Sequence, residues 1–214
     1  PRQVAIIYSP ASIWYDDSHH PVWRSTWDAF ANTGMRVRFL SEKQLQAGQF
    51  GDVKVLILPE TQVVEPGTID GIRKFIKAGG KVISIGRNLE YTLGWVPISD
   101  SEVRPLIWKS IDKLGIDWEK QLISWVNQAG VKADIKLASA THPSLAGIHW
   151  LSGTLNGKNV VSIVNTSGKT VDISISSPKV TRAWDMIADK EIKLPAELKN
   201  YGAMTLQIAT TLKK

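Results

Sequence analysis

Four short apolar runs alternate with stretches of helical periodicity between Val4 and Arg87, and this alternation restricts the possible folds more than any other feature of the chain. The runs are Val4–Tyr8, Arg36–Leu40, Val53–Leu58 and Lys81–Ile85. Strands separated by single helices pair in parallel, because each helical crossover returns the chain to the same end of the sheet and leaves the helix on a face. The run Val53–Leu58 is almost wholly apolar, as a central strand covered on both faces must be. In such sheets ligands bind outside the carboxyl ends of the strands.

The connecting segments carry their own punctuation. Ser9 to His20 reads as a long loop, and Pro21 suits the first turn of a helix. Trp23, Trp27, Phe30 and Ala31 then form one helical stripe, which Gly34 closes. Ser41-Glu42-Lys43-Gln44 reads as a capping box that opens a short helix, with Gly48 near its end. Pro66 marks the start of a further helix whose buried stripe is Ile69, Ile72, Phe75 and Ile76; Ala78-Gly79-Gly80 ends it. Beyond Arg87, residues Asn88–Asp100 read as a loop, and Ser101–Leu114 and Asp117–Ala129 as two helices.

From Val131 onward the pattern turns to β. The candidate strands are Ile135–Ser139, Ile148–Leu155, Asn159–Asn165, Val171–Ile175, Val180–Ile187, Glu191–Leu194 and Met204–Thr210. Asn156-Gly157 is a hairpin signal, since both residues accept positive φ. The expected architecture is a flavodoxin-like α/β domain over residues 1–133, with helices on both faces of a parallel sheet, followed by a small antiparallel β-sandwich over 134–214.

Composition removes several functions. The 214 residues contain no Cys, which excludes disulfides, thiolate metal sites and a cysteine nucleophile. The net charge of +6 is spread without a basic run, so neither nucleic acid nor a membrane surface is an expected partner. No apolar run approaches the length of a membrane span. The chain opens at Pro1 and enters a strand almost at once, which suggests a piece of a longer or processed protein. Nine Trp are many for this length and point to core packing or to interface and ligand surfaces.

The strand ends gather the candidate site residues. Ser9, Glu60, Arg87 and Asn88 should meet there, with Tyr15, Asp16, His19 and His20 nearby. No glycine-rich loop follows the first strand, so phosphate cradling is not expected. Asp16-Asp17-Ser18-His19-His20 holds two carboxylates and two imidazoles, but nothing sets their spacing for one metal ion, and it reads as a polar loop. Ser84 lies inside its strand and lacks the frame of a nucleophile elbow. Asn165-Thr166-Ser167 fits a glycosylation acceptor pattern but reads as an ordinary turn. His142 and His149 fall among strands as structural or exposed groups. No residue is assigned a catalytic role, and no cofactor or metal is expected.

Particular segments resemble a known family. Val4-Ala5-Ile6-Ile7-Tyr8-Ser9, the aromatic helix, Val55-Leu56-Ile57-Leu58-Pro59 and Ile76-Lys77-Ala78-Gly79-Gly80-Lys81-Val82 are similar to the trimerisation domain of family-42 β-galactosidases, which has a class I glutamine-amidotransferase-like fold. Val161-Ser162-Ile163-Val164-Asn165, Arg182-Ala183-Trp184-Asp185-Met186 and the closing strand after Tyr201-Gly202 resemble the small β domain that follows it. The resemblance implies an accessory region. In these hydrolases two glutamates on a separate barrel break the glycosidic bond. The accessory domain joins subunits and helps wall a neighbouring active site. Its implied partners are further copies of itself, as a trimer, and an N-terminal catalytic barrel, with Trp14, Tyr15, Trp23 and Trp95 as contact candidates. Two rival readings stay open. One is a small-molecule hydrolase that uses the strand-end crevice with His19 or His20 as base. The other is a carbohydrate-binding module in which Trp150 or Trp184 stacks on sugar.

Overall fold

The computed structural model describes residues 3–15, 17, 19–31, 33–86, 118–177 and 179–208. It divides into two compact units, one comprising residues 1–29 and 37–132, the other 30–36 and 133–214.

In the first unit the apolar runs become β1 (Val4–Tyr8), β2 (Val37–Ser41), β3 (Val55–Pro59) and β4 (Lys81–Ile85). All pairings are parallel and the spatial order is β2-β1-β3-β4. The register sets Ile6 beside Phe39 and Ile57, and Ile57 beside Ile83. Every residue of β3 is buried, which fits its central place. Each Leu or Ile so buried contributes about 1.5–3 kcal/mol relative to exposure.

The helices cover both faces. On one face Ala5, Ile7, Leu40, Leu56 and Leu58 pack with Leu45, Ile69, Ile72 and Phe75 from α3 (Glu42–Gln46) and α4 (Thr68–Lys77). On the other, Phe39 stacks with Trp23 and Trp27 of α2 (His19–Ala31), at ring-centroid distances of 4.8 and 5.0 Å. The capping box forms as expected: Ser41 Oγ accepts from Gln44 N, and Gln44 Oε1 accepts from Ser41 N.

Several local expectations are corrected. Ser9–His20 is not a continuous loop, because α1 (Pro10–Tyr15) occupies half of it. Ser9 caps α1 by accepting from Ser12 N at 3.1 Å, and Pro10 takes the first helical position, where its missing N–H leaves nothing unpaired. The aromatic helix takes in His19 and His20, which were expected in the loop, and Pro21 falls in its first turn as expected, where a missing N–H is tolerated for the same reason. The helix expected from Pro66 begins at Thr68, after Gly67 has turned the chain with φ 86°. The Asp117–Ala129 helix is α5 (Trp118–Gln128). The loop and helix expected over Asn88–Leu114 lie outside the described residues.

In the second unit the strands are β5 (Lys136–Ala138), β6 (Ile148–Leu155), β7 (Lys158–Asn165), β8 (Val171–Ser177), β9 (Lys179–Val180), β10 (Arg182–Asp185), β11 (Lys190–Lys193), β12 (Ala196–Leu198) and β13 (Ala203–Ile208). One sheet has the order β11-β10-β13-β7-β6 and another β12-β8-β5, with β9 pairing β8; every pairing is antiparallel. The expected strand Val180–Ile187 is two pieces in different sheets, and β12 was not expected. Asn156 (φ 50°) and Gly157 (φ 76°) make the β6–β7 turn that their residue types demand. A single apolar core takes Trp150, Ile163, Leu206 and Ala183 from the first sheet and Leu137, Ile173, Ile175 and Leu198 from the second.

Candidate functional site

The four parallel strands end on Tyr8, Ser41, Pro59 and Ile85, so the next residues, Ser9, Glu42, Glu60 and Gly86, all stand at the carboxyl edge of the sheet. Ser9, Glu42 and Glu60 are buried, at 0%, 2% and 4% exposure. Three buried polar side chains at one sheet edge need partners.

Glu42 is the hub. Its Oε1 accepts from Ser9 Oγ at 2.7 Å. Its Oε2 accepts from Thr68 Oγ1 at 2.8 Å and from Glu65 N. The single Ser9 proton also faces Val63 O at 3.0 Å and Ser12 Oγ at 3.2 Å, but the carboxylate is nearest and gives the charge-assisted bond. Ser12 Oγ bridges both backbone groups of Val63, donating to its carbonyl and accepting from its N–H at 3.2 Å. The edge beside β1 and β2 is thus filled by the protein's own groups. A buried serine hydroxyl held against a carboxylate, a second hydroxyl and a backbone carbonyl is a clamp rather than a nucleophile arrangement.

Glu60 is held differently. It follows β3 in the left-handed region (φ 45°), a conformation that costs a non-glycine residue about 1 kcal/mol or more. Glu60 N donates to Ile85 O at 2.8 Å, and Gln62 Nε2 lies 3.4 Å from Glu60 Oε2. The carboxylate rests on Gly86: a Cβ there would stand 2.0 Å from Glu60 Oε1. His19 is buried, its Nδ1 3.2 Å from Glu60 O. His20, one residue on, is exposed and stacks on Trp23 at 6.0 Å. Neighbours on a helix point about 100° apart, so the two imidazoles do not converge. Among the described residues no group of three or more His, Asp or Glu could hold a metal ion.

The structure therefore brings together His19 and Glu60 from the expected set, while Ser9, at the same sheet edge, bonds to Glu42 instead. It leaves Tyr15 half-exposed and His20 on the surface. Asp16, Arg87, Asn88 and Trp95 lie outside the described residues. Trp14 is 89% exposed, whereas Trp23 is sandwiched between His20 and Phe39. Sequence reasoning missed Glu42, Ser12 and Thr68 as members of the cluster. For Glu42 a signal existed, since it follows the second strand directly, but its place in the capping box gave it a sufficient local role.

The chain has the fold of a portion of GH42 β-galactosidases. It matches the apo exo-carrageenase GH42 from Bacteroides ovatus at 16% identity with a TM-score of 0.73, covering 98% of this chain and 29% of that one. It matches the β-galactosidase from Bacillus circulans sp. alkalophilus at 15% identity and TM-score 0.67, covering 97% and 41%. A rhamnosidase from Novosphingobium sp. PP1Y matches at 12% identity and TM-score 0.57, covering 100% and 24%. This chain thus spans well under half the length of each. No family model and no curated protein matches the sequence.

The second unit corrects the expectation for Trp150 and shows Asn165 in the turn that its sequence reads as. Trp150 cannot stack on sugar: it is 5% exposed, and its Nε1 donates to Ile135 O at 3.3 Å. Asn165 is fully buried; its Nδ2 faces the carbonyls of Lys169, Leu198 and Lys199 at 2.7, 3.0 and 3.0 Å. Its Oδ1 accepts from Ser167 N and Oγ, so the acceptor pattern is used as a turn clamp. Trp184, in contrast, is 43% exposed.

Proposed function

We propose that this chain is a non-catalytic accessory region of a glycoside-hydrolase-related protein, acting in subunit assembly and in walling a sugar-binding site. The observation that carries the reading is the match over nearly the whole chain to under half of each glycoside hydrolase. The parents of that fold are named for different sugars, which fits a part that supports chemistry performed elsewhere. The state of the sheet edge agrees. Ser9, Ser12 and Glu42 engage one another and the backbone, leaving a clamp where a reactive site would need free groups.

In the finer reading the first unit is a flavodoxin-like, amidotransferase-like domain, the second a small β-sandwich, and a second copy of the chain is the partner. Trp14, 89% exposed, and Tyr15, 52% exposed, stand together at the end of α1 and provide the kind of aromatic anchor that dominates association energies. Sedimentation of the 214-residue protein over a wide concentration range tests this, alongside aryl-glycoside hydrolysis assays. Self-association weakened by Trp14→Ala, with no turnover, is the expected result. Robust turnover lost on His19→Ala would overturn the reading in favour of a hydrolase. A monomer at all concentrations would remove the assembly role.

A further inference from the structure

The outward face of β10 carries a free indole between hydrogen-bonding groups. Ala183 and Asp185 point inward, the first into the core and the second capping the β10–β11 turn through Asp185 Oδ1, which accepts from Ile187 N at 3.0 Å and Ala188 N at 3.3 Å. Strand alternation then forces Trp184 outward. Its register partners are Gln207 on β13 and Glu191 on β11, and Gln207 pairs in turn with Val160 on β7. Val160, Gln207, Trp184 and Glu191 thus form one row on one face, with successive members about 4.8 Å apart.

The chemistry of that row is specific. The Trp184 ring has no ring partner, and the Gln207 carboxamide no hydrogen-bond partner, among the described residues. Glu191 is held by Arg182, the outward residue two before Trp184, at 3.4 Å, so its charge is balanced. Lys193, the register partner of Arg182, stands one row further along. The next row, towards the β10–β11 turn, is Leu151, Ser162 and Thr205, and there Ser162 Oγ and Thr205 Oγ1 bond each other at 3.2 Å. A protein-docking centre is depleted in Ser, Lys and Glu; here Ser162, Thr205 and Gln207 occupy the middle of the sheet, with Arg182, Glu191 and Lys193 beside them. An aromatic ring flanked by an amide and a charge-balanced carboxylate matches a ligand with apolar C–H faces and a rim of hydroxyls.

We propose that the outer face of the five-stranded sheet, centred on Trp184 with Gln207 and Glu191, binds a neutral oligo- or polysaccharide. The site lies wholly in the second unit and stands independently of the assembly role. Affinity electrophoresis of the whole chain through gels containing neutral polysaccharides (galactan, xylan, mixed-linkage glucan) tests it, with a sulfated galactan as the charged comparator. At least one neutral polymer should retard the protein. Trp184→Ala should weaken that retardation at least tenfold, and Trp184→Phe and Gln207→Ala less, with circular dichroism unchanged throughout. No retardation by any neutral polymer overturns the proposal, as does retardation that Trp184→Ala leaves intact. Binding to the sulfated polymer alone, abolished by salt, would assign the effect to the basic surface instead. Loss of self-association in Trp184→Ala without any sugar binding would make this face a protein interface.

Discussion

Ser9 Oγ donates to Glu42 Oε1 at 2.7 Å, so the residue after β1 is tied to the residue after β2 across 33 positions of sequence. Through Thr68 Oγ1 and Glu65 N the same carboxylate also holds the segment that enters α4. Three segments of the first unit therefore converge on one buried acid.

That convergence predicts a graded loss of stability. Glu42→Ala leaves the Ser9 and Thr68 hydroxyls and the Glu65 N–H without their acceptor, at about 1–3 kcal/mol for each buried group left unsatisfied. Glu42→Gln keeps the shape but offers one acceptor oxygen in place of two, and should cost less. Urea unfolding of both variants checks the order; equal stability of Glu42→Ala and the wild type would rule out the hub.

Gly86 and Glu60 should couple. Gly86 has φ 71°, and a Cβ there would meet Glu60 Oε1 at 2.0 Å. Gly86→Ala should therefore destabilise by more than the ~1 kcal/mol of a strained backbone alone. Glu60→Gly removes both the clash and the left-handed strain at position 60, so the double variant should recover part of the loss. A double-mutant cycle in guanidinium measures this, and strict additivity would contradict the contact.

Asn165 cannot serve as a glycan acceptor in the folded protein, because its amide is buried against three carbonyls. The purified, folded protein exposed to an N-glycosylating enzyme should keep the unmodified mass at this position. Asn165→Asp should destabilise by about 2 kcal/mol or more, since it sets a carboxylate oxygen against carbonyl oxygens in place of an N–H donor. Mass spectrometry and thermal melting check the two outcomes separately.

Asp172 gives a pH signature. The Thr141 side chain, then the backbone N–H groups of Ala140 and Thr141, hold its carboxyl well below the usual carboxylate range, against an opposing effect of burial and with a smaller contribution from Ser139. A folded pKa below the unfolded one stabilises the protein at pH values above the unfolded pKa, and the stabilisation is lost as pH falls toward the folded value. Asp172→Asn should thus be less stable than the wild type by a constant margin from neutral pH down to about pH 5, with the gap closing below about pH 4, near the ordinary aspartate value. Unfolding curves collected across that range provide the check; a gap that widens on acidification would reverse the sign.

The parallel strands were legible because a strand buried on both faces is apolar at every position, and Val55–Pro59 carries that signal without its neighbours. The capping box of α3 was legible because its bonds join residues three apart. The helix α1 was overlooked although Ser9 and Pro10 supply its start signals; at six residues it has no periodic stripe to read. The break of Val180–Ile187 into β9 and β10 left no local mark, since both pieces have strand composition.

From the sequence alone came the alternation of strand and helix, the β-rich second half and the absence of thiol chemistry, since each depends on residue type or on spacing within a few positions. Tertiary structure decided which polar groups at the sheet edge meet, and which tryptophan faces water. Trp150 and Leu151 are adjacent and both apolar, so composition cannot say which enters the core; pairing with Ile163 and Ser162 on β7 turns Trp150 in and Leu151 out. The partners of Glu42 likewise come from three separate segments, and a hydrogen bond between residues far apart in sequence exists only once the sheet has brought its strand ends together.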